Sequence, residues 1–261
     1  MRENDVKTRI EGGILEVILD RPKANAIDFA TSRRMGEIFS EFRDNPDMRV
    51  AIITGGGDKF FSAGWDLKAA AGGEEVDGDY GVGGFGGIQE LENFNKPVIC
   101  AVNGICCGGG LELAISADII IAVEHAQFAM PEINSGTVAD AGSIKLPKRI
   151  PYHVAMEMLI SGRWLDAEEM HRWGLVNEIT STENLMTRAW EIARKVESGP
   201  PLVYAALKEI ARESENMKFL DAMRKITNRE FPTVDTLYSS EDQLEGARAF
   251  AEKRDPVWKG K

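Results

Sequence analysis

Two glutamates in this chain stand where a carboxylate could move a proton rather than simply face solvent. In Asn103-Gly104-Ile105-Cys106-Cys107-Gly108-Gly109-Gly110-Leu111-Glu112-Leu113, three consecutive glycines come just before an acid. Glycine lets the main chain approach a ligand closely. A helix starting there also offers unpaired N–H groups at the positive end of its dipole. Such donors can hold a carbonyl oxygen as it becomes an oxyanion, and Glu112 follows within the first turn. The plainer reading is a tight turn and a helix-start acid. In Phe128-Ala129-Met130-Pro131-Glu132 an apolar run ends in a proline and then a carboxylate. Open α/β sheets bind ligands beyond the carboxyl ends of their strands. Taken alone, Glu132 reads first as a solvated loop acid. A third segment, Phe61-Ser62-Ala63-Gly64-Trp65, again brings small residues after an apolar strand, and its plain reading is a strand-to-helix turn.

Other candidates carry less. The glycines of 83–87 are not followed by Gly-Lys-Ser/Thr, so they are no phosphate-binding loop. His125, His153 and His171 are isolated, and Cys100, Cys106 and Cys107 lack ligand spacing, so no metal site is expected.

The elements that must position these residues follow from periodicity. Strands are expected at 6–10 and 14–19 around a Gly12-Gly13 turn, then a helix with Met35, Ile38, Phe39 and Phe42 on one buried stripe. Val50–Thr54 reads as a strand buried on both faces, with further strands at 96–102, 118–123 and 127–130. The glycine- and acid-rich stretch 71–87 reads as a mobile loop. A helix is expected over 111–117, and Asp166 is expected to cap another that ends before Gly174. Helices then follow at 185–196, 202–214 and 220–229, with a last one before Pro256. Strands alternating with helices imply an α/β fold with a largely parallel sheet. The division expected is a core of 1–197 and a helical segment of 198–261.

The 261 residues carry a net charge of −11 and are 43% hydrophobic. A sizeable core can form, and no general basic field exists to attract nucleic acid or an anionic membrane. Neither a spanning segment nor a signal peptide is expected. With three cysteines in no CxxC pattern, reduced thiols and a cytoplasmic location are expected.

Taken together, the ordered segments Phe61–Leu67, Ala101-Val102-Asn103-Gly104, Gly108–Ala114, Ala117-Asp118 and Phe128–Glu132 resemble the crotonase (enoyl-CoA hydratase/isomerase) superfamily. The similarity extends over nearly the whole chain. Runs at 21–28, 60–71 and 250–260, the first and last of them far from the generic motif, resemble one dehydratase branch in particular. The resemblance implies a spiral of ββα units with C-terminal helices that drive a homotrimer or hexamer. It implies reversible hydration of a coenzyme A thioester, with the CoA part of the substrate and no separate cofactor. It implies Glu112 and Glu132 as the catalytic acids and the N–H groups of Trp65 and Gly109 as the oxyanion hole. Lys23, Ala24, Ala63, Asp66, Leu67 and Lys253 fall at substrate or CoA contacts, with Lys68 and Arg254 as further cations for phosphates. The indole of Trp65 could also offer a π-face to a trimethylammonium group, or simply pack.

Both acid positions of a hydratase are filled, whereas many members of other activity keep one. Filling both argues against a non-catalytic acyl-CoA-binding protein. A generic short-chain hydratase and an isomerase are the remaining rivals. The chain departs from the family after Glu132. Ser135-Gly136 replaces a usual Leu-Gly, Gly142-Ser143 stands at a usual Gly-Gly, and Ala139 replaces the branch's proline before Asp140. The departures are expected to reshape the acyl pocket without touching the two carboxylates.

Overall fold

The computed structural model describes residues 5–261. Strands β1 (Val6–Glu11) and β2 (Ile14–Leu19) form an antiparallel hairpin. Its turn uses Gly12 at φ +59°, a left-handed conformation that favours glycine. Helix α1 (Phe29–Asp44) follows, capped by the Asp28 carboxylate, which accepts the Thr31 N–H. Its Met35, Ile38, Phe39 and Phe42 are buried as one stripe.

Three ββα units come next. They are β3 (Val50–Gly55), β4 (Phe60–Ser62) and α2 (Leu67–Ala71); β5 (Val98–Val102), β6 (Ile105–Cys107) and α3 (Gly109–Ala114); and β7 (Ile119–Val123), β8 (Gln127–Ala129) and α4 (Asp140–Lys145). Each unit gives its first strand to one sheet and its second to another. The larger sheet runs β1-β2-β3-β5-β7-β10, and the smaller runs β4-β6-β8-β9. Helix α5 (Tyr152–Ser161), β9 (Leu165–Asp166), α6 (Ala167–Arg172), β10 (Glu178–Thr180) and α7 (Leu185–Glu197) complete this body. The chain closes with α8 (Pro201–Glu213), α9 (Phe219–Thr227), α10 (Pro232–Tyr238) and α11 (Glu245–Glu252).

Strands β3 and β5 are buried at every residue, as continuous apolar runs in a covered parallel sheet require. Asn103 fastens the corner between the sheets: its amide donates to the carbonyls of Gly55 and Gly57, and its Oδ1 accepts the Gly55 N–H. The main hydrophobic core ends at α7, and a small second cluster of Ala206, Phe231 and Val234 sits among the C-terminal helices. Lys208 of α8 ties the two regions by donating to Asp118 and to the Lys96 carbonyl.

Several elements differ from expectation. The helix after the triple glycine spans Gly109–Ala114, beginning earlier and ending sooner, because 115–117 must turn into β7. The two- and three-residue strands β6, β9 and β10 are too short to show a period. The 71–87 stretch, expected as a mobile loop, is half built into the core. Gly83, Gly84, Gly86 and Gly87 are buried, and Gly87 lies so close to α1 that a Cβ would meet the Gly36 nitrogen at 2.4 Å.

Candidate active site

Strands β4, β6 and β8 lie side by side and parallel, with Ser62 opposite Cys106 and Cys107 opposite Ala129. Their carboxyl ends therefore deliver Ala63–Trp65, Gly108–Glu112 and Pro131-Glu132 to one place. These ends border a cavity of about 340 Å³. Ala63, Trp65, Leu67, Gly109, Glu112 and Glu132 all line it.

The turns touch. Gly64 has φ +79°, and a Cβ there would meet the Gly109 nitrogen at 2.6 Å and the Cys107 carbonyl at 2.8 Å. Only glycine allows that approach. Gly110 is equally confined, with the Ser62 carbonyl at 2.4 Å from its would-be Cβ. Among the described residues, neither the Trp65 N–H nor the Gly109 N–H donates a hydrogen bond. Two open main-chain donors thus flank the contact between the first two units.

Glu112 is 7% exposed, and its Oε1 accepts the Gly142 N–H at 2.8 Å. Burial holds its proton affinity up, the Gly142 N–H opposes this, and Asp140 adds to the rise. Glu132 sits on the 3-10 turn Pro131–Asn134, with Oε1 against Gly108. Its Oε2 is buried and has no hydrogen-bond partner among the described residues. Burial first, with Glu112 and Asp140 adding repulsion, pushes its pKa up to about 7. The arrangement is therefore two carboxylates of raised proton affinity beside two open N–H donors. Such a site can stabilise an enolate and pass protons on either side of it.

Residues far from the motifs complete the walls: Tyr80 and Phe85 from the 71–87 stretch, Gln89, and Asp140 at the start of α4. Gln89 Nε2 and the Trp65 indole N–H are buried without partners among the described residues. The loop after Glu132 reaches the acids through Asp140 and Gly142, which lie beside the altered positions Ser135, Ala139 and Ser143. Gly142 is a direct hydrogen-bond donor to Glu112, and the charge of Asp140 raises the proton affinity of both acids. Its main-chain contact could not be read from side-chain types.

Residues 9–261 match the family model described as enoyl-CoA hydratase/isomerase. The chain belongs to that family. Carnitinyl-CoA dehydratase of Citrobacter koseri is 54% identical to this family member over 251 residues, 96% of each chain. That of Escherichia coli is 53% identical over the same share. Among solved structures, enoyl-CoA hydratase from Mycobacterium tuberculosis superposes with a TM-score of 0.89 at 37% identity, covering 99% of this chain and 100% of that one. The enoyl-CoA hydratase of Bacillus anthracis gives 0.89 at 30% identity with the same coverage.

The remaining candidate contacts of this enoyl-CoA hydratase/isomerase family member lie outside the cavity lining. Lys23 is exposed, and the Ala24 carbonyl accepts the Ala63 N–H, which ties it to the site's edge. Asp66 caps α2 and is bound by Arg21, which, against the opposing effect of burial, keeps its carboxyl below the usual range. Lys253 sits exposed in a left-handed conformation at the end of α11. Cys107 borders the site, but burial, with Glu132 adding to it, pushes its thiol up to about 11, so it stays protonated.

Proposed function

We propose that this protein is a hydro-lyase that interconverts a 3-hydroxyacyl-CoA with the 2-enoyl-CoA and water, and that carnitinyl-CoA and crotonobetainyl-CoA are its substrate pair. One observation carries the chemistry: a half-buried Glu132 with an open, buried oxygen shares a cavity with a buried Glu112 and two open N–H donors. The 54% identity to carnitinyl-CoA dehydratase supports the substrate.

In this reading the thioester oxygen lies between the N–H groups of Trp65 and Gly109. In dehydration, Glu132 removes the α-proton and Glu112 protonates the departing hydroxyl. In hydration, Glu112 takes a proton from water as the oxygen adds to the β-carbon, and Glu132 protonates the α-carbon. The pair thus works with one proton between them, the state that two neighbouring raised-affinity carboxyls favour. Only water and protons move, so no metal or redox group is asked for, and coenzyme A enters as part of the substrate. Lys23, Lys68, Lys253 and Arg254 are proposed to meet its phosphates. The exposed Phe219, Leu220 and Phe250 support assembly into a homotrimer or hexamer, which light scattering measures. Three buried free cysteines suit the cytoplasm.

The test is a panel of acyl-CoA thioesters assayed in both directions. Preference for crotonobetainyl-CoA over crotonyl-CoA is the expected result. Equal or better use of crotonyl-CoA would make it a generic short-chain hydratase. Isomerisation without uptake of labelled water would overturn the reaction.

A further inference from the structure

The cavity carries more negative charge than its water chemistry uses. Besides Glu112 and Glu132 it is lined by Asp77, Glu90 and Asp140, and no lysine, arginine or histidine is among the described lining. Extra acids raise the cost of ionising the working pair, and a neutral acyl tail gains nothing from them. Asp140 shares this lining, and its charge raises the proton affinity of Glu112, Glu132 and the Tyr80 hydroxyl alike.

Aromatic rings line the same space. Tyr80 stands edge to face between Phe29 and Phe85, at centroid separations of 4.6 and 5.3 Å. Phe85 lies against Gly109, where a Cβ would meet its Cε1 at 2.3 Å. Trp65 adds a third lining ring. Aromatic rings beside a carboxylate, with no lysine, arginine or histidine in the described lining, form a set suited to a quaternary ammonium. That group has no N–H to donate, so the acid acts on it as a charge and needs no hydrogen-bond geometry.

We propose that Trp65, Tyr80, Phe85 and Asp140 form a cation subsite that holds a trimethylammonium group on the acyl chain and sets substrate choice. This rests on the hydro-lyase reading above and names how that site selects its acyl group. The bound cation also relieves the repulsion that Asp140 imposes on the working pair.

The test uses two unreactive ligands of one shape on the intact enzyme. They are 4-trimethylammoniobutyryl-CoA and its neutral counterpart 5,5-dimethylhexanoyl-CoA, in which carbon replaces the nitrogen. Calorimetry gives the ratio of their dissociation constants at about 0.1 M salt, where surface charge is largely screened. A preference of about tenfold or more for the cation is expected. Tyr80→Leu and Asp140→Asn should each cut that ratio at least about threefold, whereas Tyr80→Phe should keep most of it. Glu124→Gln, which removes an exposed charge outside the cavity lining, should leave the ratio alone. A ratio near one in the unaltered enzyme, or a ratio unmoved by both variants with their folding verified, overturns the proposal. Hydration of crotonobetainyl-CoA is assayed alongside. If it fails while the cation preference holds, the reaction reading falls and the subsite stands. If it proceeds with a ratio of one, the subsite falls and the reaction stands.

Discussion

Glu112 and Glu132 at the cavity contrast with Glu209 and Asp242 in the C-terminal helices. Glu112 and Glu209 are equally buried, at 7% exposure, and Asp242 is at 4%. The C-terminal acids each accept two hydrogen bonds. Asp242 accepts the N–H groups of Lys259 at 2.9 Å and Gly260 at 2.7 Å, one on each oxygen, which pins the tail of the chain. Glu209 accepts both the N–H and the hydroxyl of Thr233, which fixes α10 on α8. The cavity acids are under-supplied: Glu112 has one main-chain donor, and Glu132 leaves Oε2 with none. A carboxylate buried with full partners holds structure, because losing it strands those partners. One buried with open oxygens destabilises the fold and keeps its proton exchangeable.

This contrast predicts opposite outcomes for the two regions. Glu112→Gln and Glu132→Gln should each lower kcat for hydration by about 10²–10⁴-fold, the range for losing a positioned acid or base. Steady-state assays with circular dichroism as the folding check measure this, and near-normal turnover in both variants would refute the mechanism. Asp242→Ala should instead cost about 2–3 kcal/mol of stability, two hydrogen bonds to a charged group partly offset by water. It should leave kcat unchanged in the folded protein, and urea unfolding reads the loss.

The third prediction concerns stability at the cavity itself. Glu132 holds its proton up to about pH 7, well above an unfolded carboxyl. Its folded state is thus favoured at low pH, and that advantage disappears as pH rises through 7. Glu132→Gln removes the charge, so it should stabilise the fold by about 1–2 kcal/mol at pH 8 after discounting for partial exposure, and by little at pH 4. Equal effects at both pH values would mean that Glu132 is not held neutral by burial.

What could be read from residue types differs between the regions for a physical reason. Glu112, Glu132 and the Gly108–Gly110 turn are contiguous runs, each at the end of one short strand, so local spacing exposes them. Tyr80, Gln89, Asp140 and the Gly142 N–H reach the cavity only through packing between units. The apolar strands β2, β3 and β5 and the stripe of α1 were legible because burial demands long apolar runs in the strands and a helical period in α1. The strands β6, β9 and β10 have two or three residues and no period to show. In the C-terminal segment, α10 begins at Pro232 and has seven residues, too few for a stripe to stand out.

The smallest predicted effect separates a shared proton from two independent ones. Hydration and dehydration consume no net proton, so the equilibrium constant between the CoA esters does not vary with pH. The ratio of kcat/KM in the two directions must then be constant, and both must follow one profile. With one proton between them, the form with Glu132 protonated and the form with Glu112 protonated are two arrangements of the same charge state. Hydration starts from the first and dehydration from the second. Both directions should therefore trace the same bell, with a basic limb near pH 7 where the shared proton leaves and activity falls about tenfold per pH unit. Residual activity of Glu132→Gln should lose that limb. A kcat/KM that stays flat from pH 7 to about 9 in the unaltered enzyme would show that neither carboxyl keeps its proton in the working range, and the open oxygen of Glu132 would then need another explanation.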